Sequence, residues 1–82
     1  MSLVELTEFI VKSLVQEKED VSVKEFESDQ ENTILIQVMV NELDMGKVIG
    51  KGGKIANSIR TLVQASSSLK DGKTVRINID SF

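Results

Sequence analysis

The stretch Gly46–Val63, GKVIGKGGKIANSIRTLV, decides how this chain is read. Four of the five glycines, Gly46, Gly50, Gly52 and Gly53, fall within eight consecutive residues. Lys47, Lys51 and Lys54 are threaded among them, and apolar residues at helical spacing follow. Glycine lets a backbone take positive φ and lets another molecule come close where a Cβ would stand in the way. A helix starting near Gly53 aims its unpaired N–H groups and positive dipole end at the turn Gly50-Lys51-Gly52-Gly53. With Lys51 inside that turn and Lys47 and Lys54 flanking it, the segment is suited to hold phosphate. Such a site is built of backbone and point charge, so it grips a phosphodiester chain without reading its sequence. A plain helix-to-helix connection needs two glycines and no lysines; the third glycine and the three lysines favour an anion site over it.

Two other glycine signatures fail on spacing. The phosphate loop of nucleotide hydrolases needs G-x-x-x-x-G-K-S/T, but Gly46 to Gly50 is one residue short and Lys51 is followed by Gly52. The dinucleotide fingerprint G-x-G-x-x-G after a strand does not fit Gly50, Gly52 and Gly53.

Working outward, Ile55, Ile59, Leu62, Val63, Ser66 and Leu69 recur at steps of three and four, which predicts an amphipathic helix over about 53–69. Asp71-Gly72 ends it, and KTVRINID reads as a final strand with Val75, Ile77 and Ile79 inward. Upstream, NELDMGKVI predicts one or two helical turns with Asn41 or Asp44 as cap. TILIQVMV is the clearest strand, with Ile34, Ile36, Val38 and Val40 facing one way. Before it, SDQEN reads as a turn. Val21, Val23 and Phe26 form an earlier strand whose broken alternation suits a bulge or a sheet edge. The two strands predict an antiparallel hairpin. At the N-terminus, Ser2-Leu3-Val4-Glu5 has the form of a capping box opening a helix over about 3–17, with Leu3, Leu6, Ile10 and Leu14 on one face and Phe9 beside them. The order helix, strand, strand, short helix, helix, strand predicts an α+β fold: a three-stranded sheet with its helices packed on one face.

The 82 residues suffice for one domain, expected to span 1–82. With neither cysteine nor histidine, the chain has no thiol chemistry, disulfide, imidazole base or imidazole metal ligand. Asp44 with Glu42 is the only carboxylate pair near the glycine turn, and capping explains it, so no enzyme activity and no cofactor are expected. No apolar run reaches membrane-span length and no signal-peptide pattern opens the chain, so the expected location is cytoplasmic. The net charge of −3 hides a split: residues 1–45 balance at −8, and residues 46–82 at +5. That division suits one anion-seeking and one anion-repelling face. Only Phe9, Phe26 and Phe82 are aromatic, which argues against base stacking as the main mode of recognition.

VIGKGGKI, Val48 to Ile55, resembles the I-G-x-x-G core motif of the KH domain, which sits between two helices and clamps a short run of backbone nucleotides. The predicted element order is similar to that of the prokaryotic, type II KH fold, α-β-β-α-α-β. More narrowly, DMGKVIGKGGKIANSIRTLVQA, Asp44 to Ala65, looks like the small bacterial single-KH proteins of the KhpA group. Where many KH domains carry isoleucine three residues after the second motif glycine, this chain has Ala56, with the apolar residue at Ile55. The resemblance implies single-stranded RNA as ligand, with Gly50, Lys51, Gly52 and Gly53 as the clamp and Lys47 and Lys54 beside it. Val48 and Ile49 would pack the short helix and shape the groove, and Arg60 and Arg76 would extend the charged rim. Ile55 and Ile59 read as core. The resemblance also implies a homodimer, or a heterodimer with a larger KH partner of the KhpB (Jag or EloR) type. It implies work as an RNA chaperone or post-transcriptional regulator connected with cell elongation and division. No membrane and no small-molecule substrate are expected. A competing reading makes the domain chiefly a protein-interaction module, with RNA contact secondary.

Overall fold

The computed structural model describes residues 1–82. The chain runs α1 (Leu3–Leu14), β1 (Ser22–Glu27), β2 (Thr33–Val40), α2 (Met45–Ile49), α3 (Lys54–Lys70) and β3 (Thr74–Ser81), the order read from the sequence. Strand order in the sheet is β1-β2-β3. β1 pairs antiparallel with β2 from Ser22↔Met39 to Glu27↔Ile34, and β3 pairs parallel from Thr33↔Thr74 to Val40↔Ser81. A parallel return needs a crossover, and α2 and α3 supply it, which carries them to one face of the sheet. The fold is the α+β arrangement of a KH domain.

β2 is central, and its alternation is obeyed: Ile36, Val38 and Val40 are fully buried under the helices. Val23 joins them from β1 and Ile77 from β3, with Val11, Val15, Val48, Ile59 and Val63 packing down from the helix layer. The other sheet face is uncovered. Phe26, Leu35 and Arg76 share one cross-strand row on it, which explains the broken alternation at Phe26. β1 carries no bulge. It is an edge strand whose Glu25 and Glu27, on the helix side, lie beyond the helices' cover and stay exposed.

Three boundaries and two faces differ from the sequence reading. α1 stops at Leu14, because Val15 is extended at φ −96° and ψ 160°, and a 3-10 turn at Lys18–Asp20 follows. Of the two caps read for NELDMGKVI, Asn41 is the one that forms: it opens a 3-10 turn at Glu42–Asp44, which runs on into α2, by accepting from the Leu43 N–H at 2.9 Å, and Asp44 caps nothing. α3 begins at Lys54 and runs to Lys70, one residue later at each end. In α1 the deepest line is Leu3, Thr7, Val11 and Val15, with Leu6, Ile10 and Leu14 flanking it. In α3 it is Ala56, Ile59, Val63 and Ser67, while Leu62 is 57% and Leu69 88% exposed. Small or β-branched residues take the line of closest approach, and their polar atoms are satisfied locally. Thr7 Oγ1 donates to the Leu3 carbonyl and Ser67 Oγ to the Lys73 carbonyl, both at 2.7 Å.

Ile36→Ala should lower stability by about 2–5 kcal/mol through a cavity at the sheet centre. Leu69→Ala should change it by less than about 0.5 kcal/mol at a protein concentration low enough for the chain to be monomeric. Urea unfolding of the two variants checks the sheet centre and the helical phase together; a large loss at Leu69 would mean that α3 turns the other way.

Candidate nucleic-acid interface

α2 ends at Gly50, whose N–H bonds the Gly46 carbonyl at 2.9 Å. Gly50 then takes φ 76° and ψ 173°, a conformation essentially closed to other residues. Space demands glycine there as well: a Cβ would stand 2.6 Å from Ile55 Cγ1. Gly52 (φ 64°) and Gly53 (φ 76°) are both left-handed, and no atom lies within 4 Å of where their Cβ would be. Glycine is therefore needed at Gly50 for packing and backbone alike, and at Gly52 and Gly53 for backbone, with open space above them. A single turn closed by the Gly53 N–H to the Gly50 carbonyl, 3.2 Å, leads directly into α3.

No side chain caps the N-terminus of α3, and its first turn holds no acidic residue. Carbonyls of the turn take the Gly53 and Lys54 N–H groups, but no side chain or carboxylate offsets the positive dipole end that faces the loop. Lys51 and Lys54 are exposed on either side of Gly52 and Gly53, and neither has a carboxylate within salt-bridge reach. Lys47 differs. Its ammonium lies 3.4 Å from Asp44 Oδ1 and 3.5 Å from Gln16 Oε1. Asp44 is buried and also accepts the Gln16 N–H at 3.1 Å and the Glu17 N–H at 3.0 Å. The Glu17 N–H foremost, with the Gln16 N–H and the Lys47 ammonium, outweighs burial and holds the Asp44 carboxyl below the usual carboxylate range.

Gly50, Lys51, Gly52, Gly53 and Lys54 thus come together at one protruding turn, with Lys47 at its base. Val48 is fully buried in the core and Ile49 half-buried, so both hold the loop from beneath. Ile55 lies over Gly50 and Ile59 is core. Arg60 stands further along α3, its Nε donating to the Ile77 carbonyl at 3.3 Å and its Nη1 to Asn57 Oδ1 at 3.2 Å. Arg76 is not part of the cluster. It lies on the uncovered sheet face, where its Nε donates to Gln30 Oε1.

One feature the sequence reading missed is the outer edge of β3, the strand bordered by both α2 and α3. Gln64 Oε1 accepts the Val75 N–H at 2.8 Å, Gln64 Nε2 donates to the Lys73 carbonyl at 3.0 Å, and Arg60 takes the Ile77 carbonyl. Ile79, on the same edge, has no such side-chain partner. Only topology makes β3 an edge, so no local signal could have found it. Charge follows the same geometry. The acidic residues of β1 and the following turn, among them Glu25, Glu27, Asp29 and Glu31, lie at the opposite side of the sheet.

A sequence profile of the KhpA/KhpB KH domain matches residues 4–79. The chain is 48% identical over 75 residues to the RNA-binding protein KhpA of Clostridium perfringens, covering 92% of this chain and 96% of that one. It is 40% identical over 78 residues to the RNA-binding protein KhpA of Aquifex aeolicus, covering 95% of each. Among solved structures, Aquifex aeolicus Era bound to GDP and aluminium fluoride superposes with a TM-score of 0.72 at 20% identity, covering 98% of this chain. Era in complex with MgGDPNP and a segment of 16S ribosomal RNA gives 0.68 at 22%, covering 96%. This chain spans 30% and 29% of those two Era chains, and the likeness is one of fold.

Gly50→Ala is expected to cost at least about 2 kcal/mol, since it combines a disfavoured backbone conformation with overpacking against Ile55. Gly46→Ala, in a helix with no atom within 4 Å of the new methyl, should be neutral or stabilising. Thermal unfolding of both variants checks this; a benign Gly50→Ala would mean that the loop tolerates a different path.

Proposed function

The chain belongs to the KhpA/KhpB KH-domain family, and we propose that it binds single-stranded RNA by the phosphate backbone at Gly50–Gly53. The observation that carries this reading is the uncapped N-terminus of α3 opening on left-handed glycines, with Lys51 and Lys54 unpaired on either side. Phosphate oxygens are the ligand such donors fit. Val48 and Ile49 fix the loop, while Lys47 and Arg60 add charge around it. The free edge of β3 at Ile79 offers an N–H and a carbonyl to an unpaired base, which a duplex would keep hidden. The role proposed is one of binding, without catalysis, cofactor or small-molecule substrate; the chain carries neither histidine nor cysteine. The relatives are bacterial. Residues 1–82 then act as one cytoplasmic KH domain, an RNA chaperone or post-transcriptional regulator serving processes such as cell shape. No helix is long and apolar enough to cross a membrane.

One clamp reaches few nucleotides, so useful affinity calls for two acting together. Leu62 and Leu69, exposed on α3, supply an apolar surface for that pairing, with a second copy or with a KhpB-type partner. This surface is also the specific support for a protein-interaction role running beside RNA binding.

Lys51→Asp combined with Lys54→Asp keeps every glycine, and carboxylates are tolerated at a helix N-terminus, so the fold should survive. Binding of a single-stranded oligonucleotide should be lost. In the parent, neutralising two or three phosphates predicts a log–log salt slope of about −1.4 to −2. Unchanged affinity in the double variant, or a parent that prefers duplex, would remove the clamp.

Leu62→Glu should weaken self-association by about tenfold or more. Sedimentation across concentrations reads it; a parent that stays monomeric at high micromolar concentration would end the self-pairing and leave the surface to the KhpB-type partner alone.

A further inference from the structure

We infer that Asp44 is a positioning residue for the glycine loop, pinning the start of α2 to the chain that leaves α1. The inference rests on the loop reading above and deepens it. Asp44 immediately precedes α2, where a carboxylate would ordinarily accept N–H groups of its own helix, yet it caps nothing there. Its two oxygens instead accept the N–H groups of Gln16 and Glu17, at 3.1 and 3.0 Å, from 28 and 27 residues away. The residue is 1% exposed, the most buried carboxylate in the chain.

The need for such a pin lies in α2 itself. Its five residues are far too few to form a stable helix alone. Only Val48 anchors it fully in the core. Met45, at the start of α2, packs on the core only partly buried, and apolar contact of this kind leaves a short helix more freedom to slide or pivot than a paired, directional hydrogen bond does. Asp44 supplies that pair, and Gly50 is the residue that α2 delivers. The same carboxylate holds Lys47, whose ammonium also reaches Gln16 Oε1, so a cation beside the loop is fixed to the α1 exit too. Lys18 closes the junction from the other side, its Nζ donating to the Val15 carbonyl at 2.7 Å.

Two variants test this without altering the loop. Asp44→Asn keeps the shape but loses the charge and one of the two acceptors. Gln16→Pro removes a donor N–H from the far partner; Val15 before it is already extended, as a following proline requires. Each should weaken binding of a fluorescent single-stranded RNA decamer by roughly three- to thirtyfold at a temperature where unfolding curves show the protein folded. Each should also shift the amide NMR signals of Gly50, Gly52 and Gly53, which a loss confined to stability would leave in place. Lys51→Glu is measured alongside. If Lys51→Glu loses binding while both variants bind as the parent does, the pin is wrong and the loop reading stands. Tighter binding by Asp44→Asn, with a steeper salt slope, would likewise overturn the pin, because Asp44 would then only neutralise Lys47. If Lys51→Glu itself binds normally, the loop reading falls, and the inference with it. Should Asp44→Asn fail to fold, Gln16→Pro decides alone.

Discussion

The contact between Gly50 and Ile55 is the constraint on which the functional geometry depends. A Cβ at residue 50 would stand 2.6 Å from the Ile55 side chain, so the end of α2 and the first turn of α3 can be this close only across a glycine. That closeness forces the intervening residues into one tight turn, and the turn requires Gly52 and Gly53 to be left-handed. The Gly53 N–H is spent closing that turn on the Gly50 carbonyl, at 3.2 Å, so what the turn presents outward is open space above Gly52 and Gly53 and the start of α3. The packing of α2 on α3 and the shape of the proposed clamp thus have one cause.

The sheet extends this order to charge. Because β2 is central and β3 returns parallel, α3 and the lysine-bearing loop are drawn to the β3 side, while α1 lies against β1. The carboxylates of β1 and its turn therefore lie away from the loop lysines, although Lys73 and Arg76 of the second half sit beside that acidic turn. A polyanion approaching the loop meets Lys51 and Lys54 without crossing the carboxylates of β1 and its turn, and approach from the other side is repelled. A net charge of −3 is in this way compatible with a site for phosphate.

Most of the fold was legible because its signals are local. The capping box at Ser2 and Glu5 forms as read, with bonds of 3.0 and 3.1 Å, and β2 spans the residues its alternation marked. The glycine turn was legible for the same reason: spacing and residue type alone required it to lie between two helices. The misreadings share a different cause. Leu62 and Leu69 were counted inward because they are apolar, but the packed line of α3 runs through Ala56 and Ser67, where shape and a satisfied hydroxyl outrank hydrophobicity. α1 was read as three residues too long because the partner of the Gln16 and Glu17 N–H groups is Asp44, across the fold. Arg60 and Arg76 look alike in sequence, yet α3 turns one toward the β3 edge while the pleat turns the other to the uncovered face.

The two long helices treat the same physical problem in opposite ways. Every helix begins with N–H groups that its own backbone cannot satisfy. α1 answers internally: Ser2 and Glu5 bond reciprocally, and the Ser2 N–H, with the Ser2 hydroxyl, holds the Glu5 carboxyl below its usual range. α3 has the length to carry at least as large a dipole, but in place of a serine and a glutamate it opens with Gly53, Lys54 and Ile55. Neither glycine, lysine nor isoleucine has an acceptor to offer, and the lysine adds positive charge where a capping carboxylate would have removed it. That choice forgoes the roughly 0.5–2 kcal/mol a side-chain cap supplies. On the proposed reading, a ligand that brings its own oxygens and negative charge would restore the missing interaction, and the stability left out of the free fold would become affinity for phosphate.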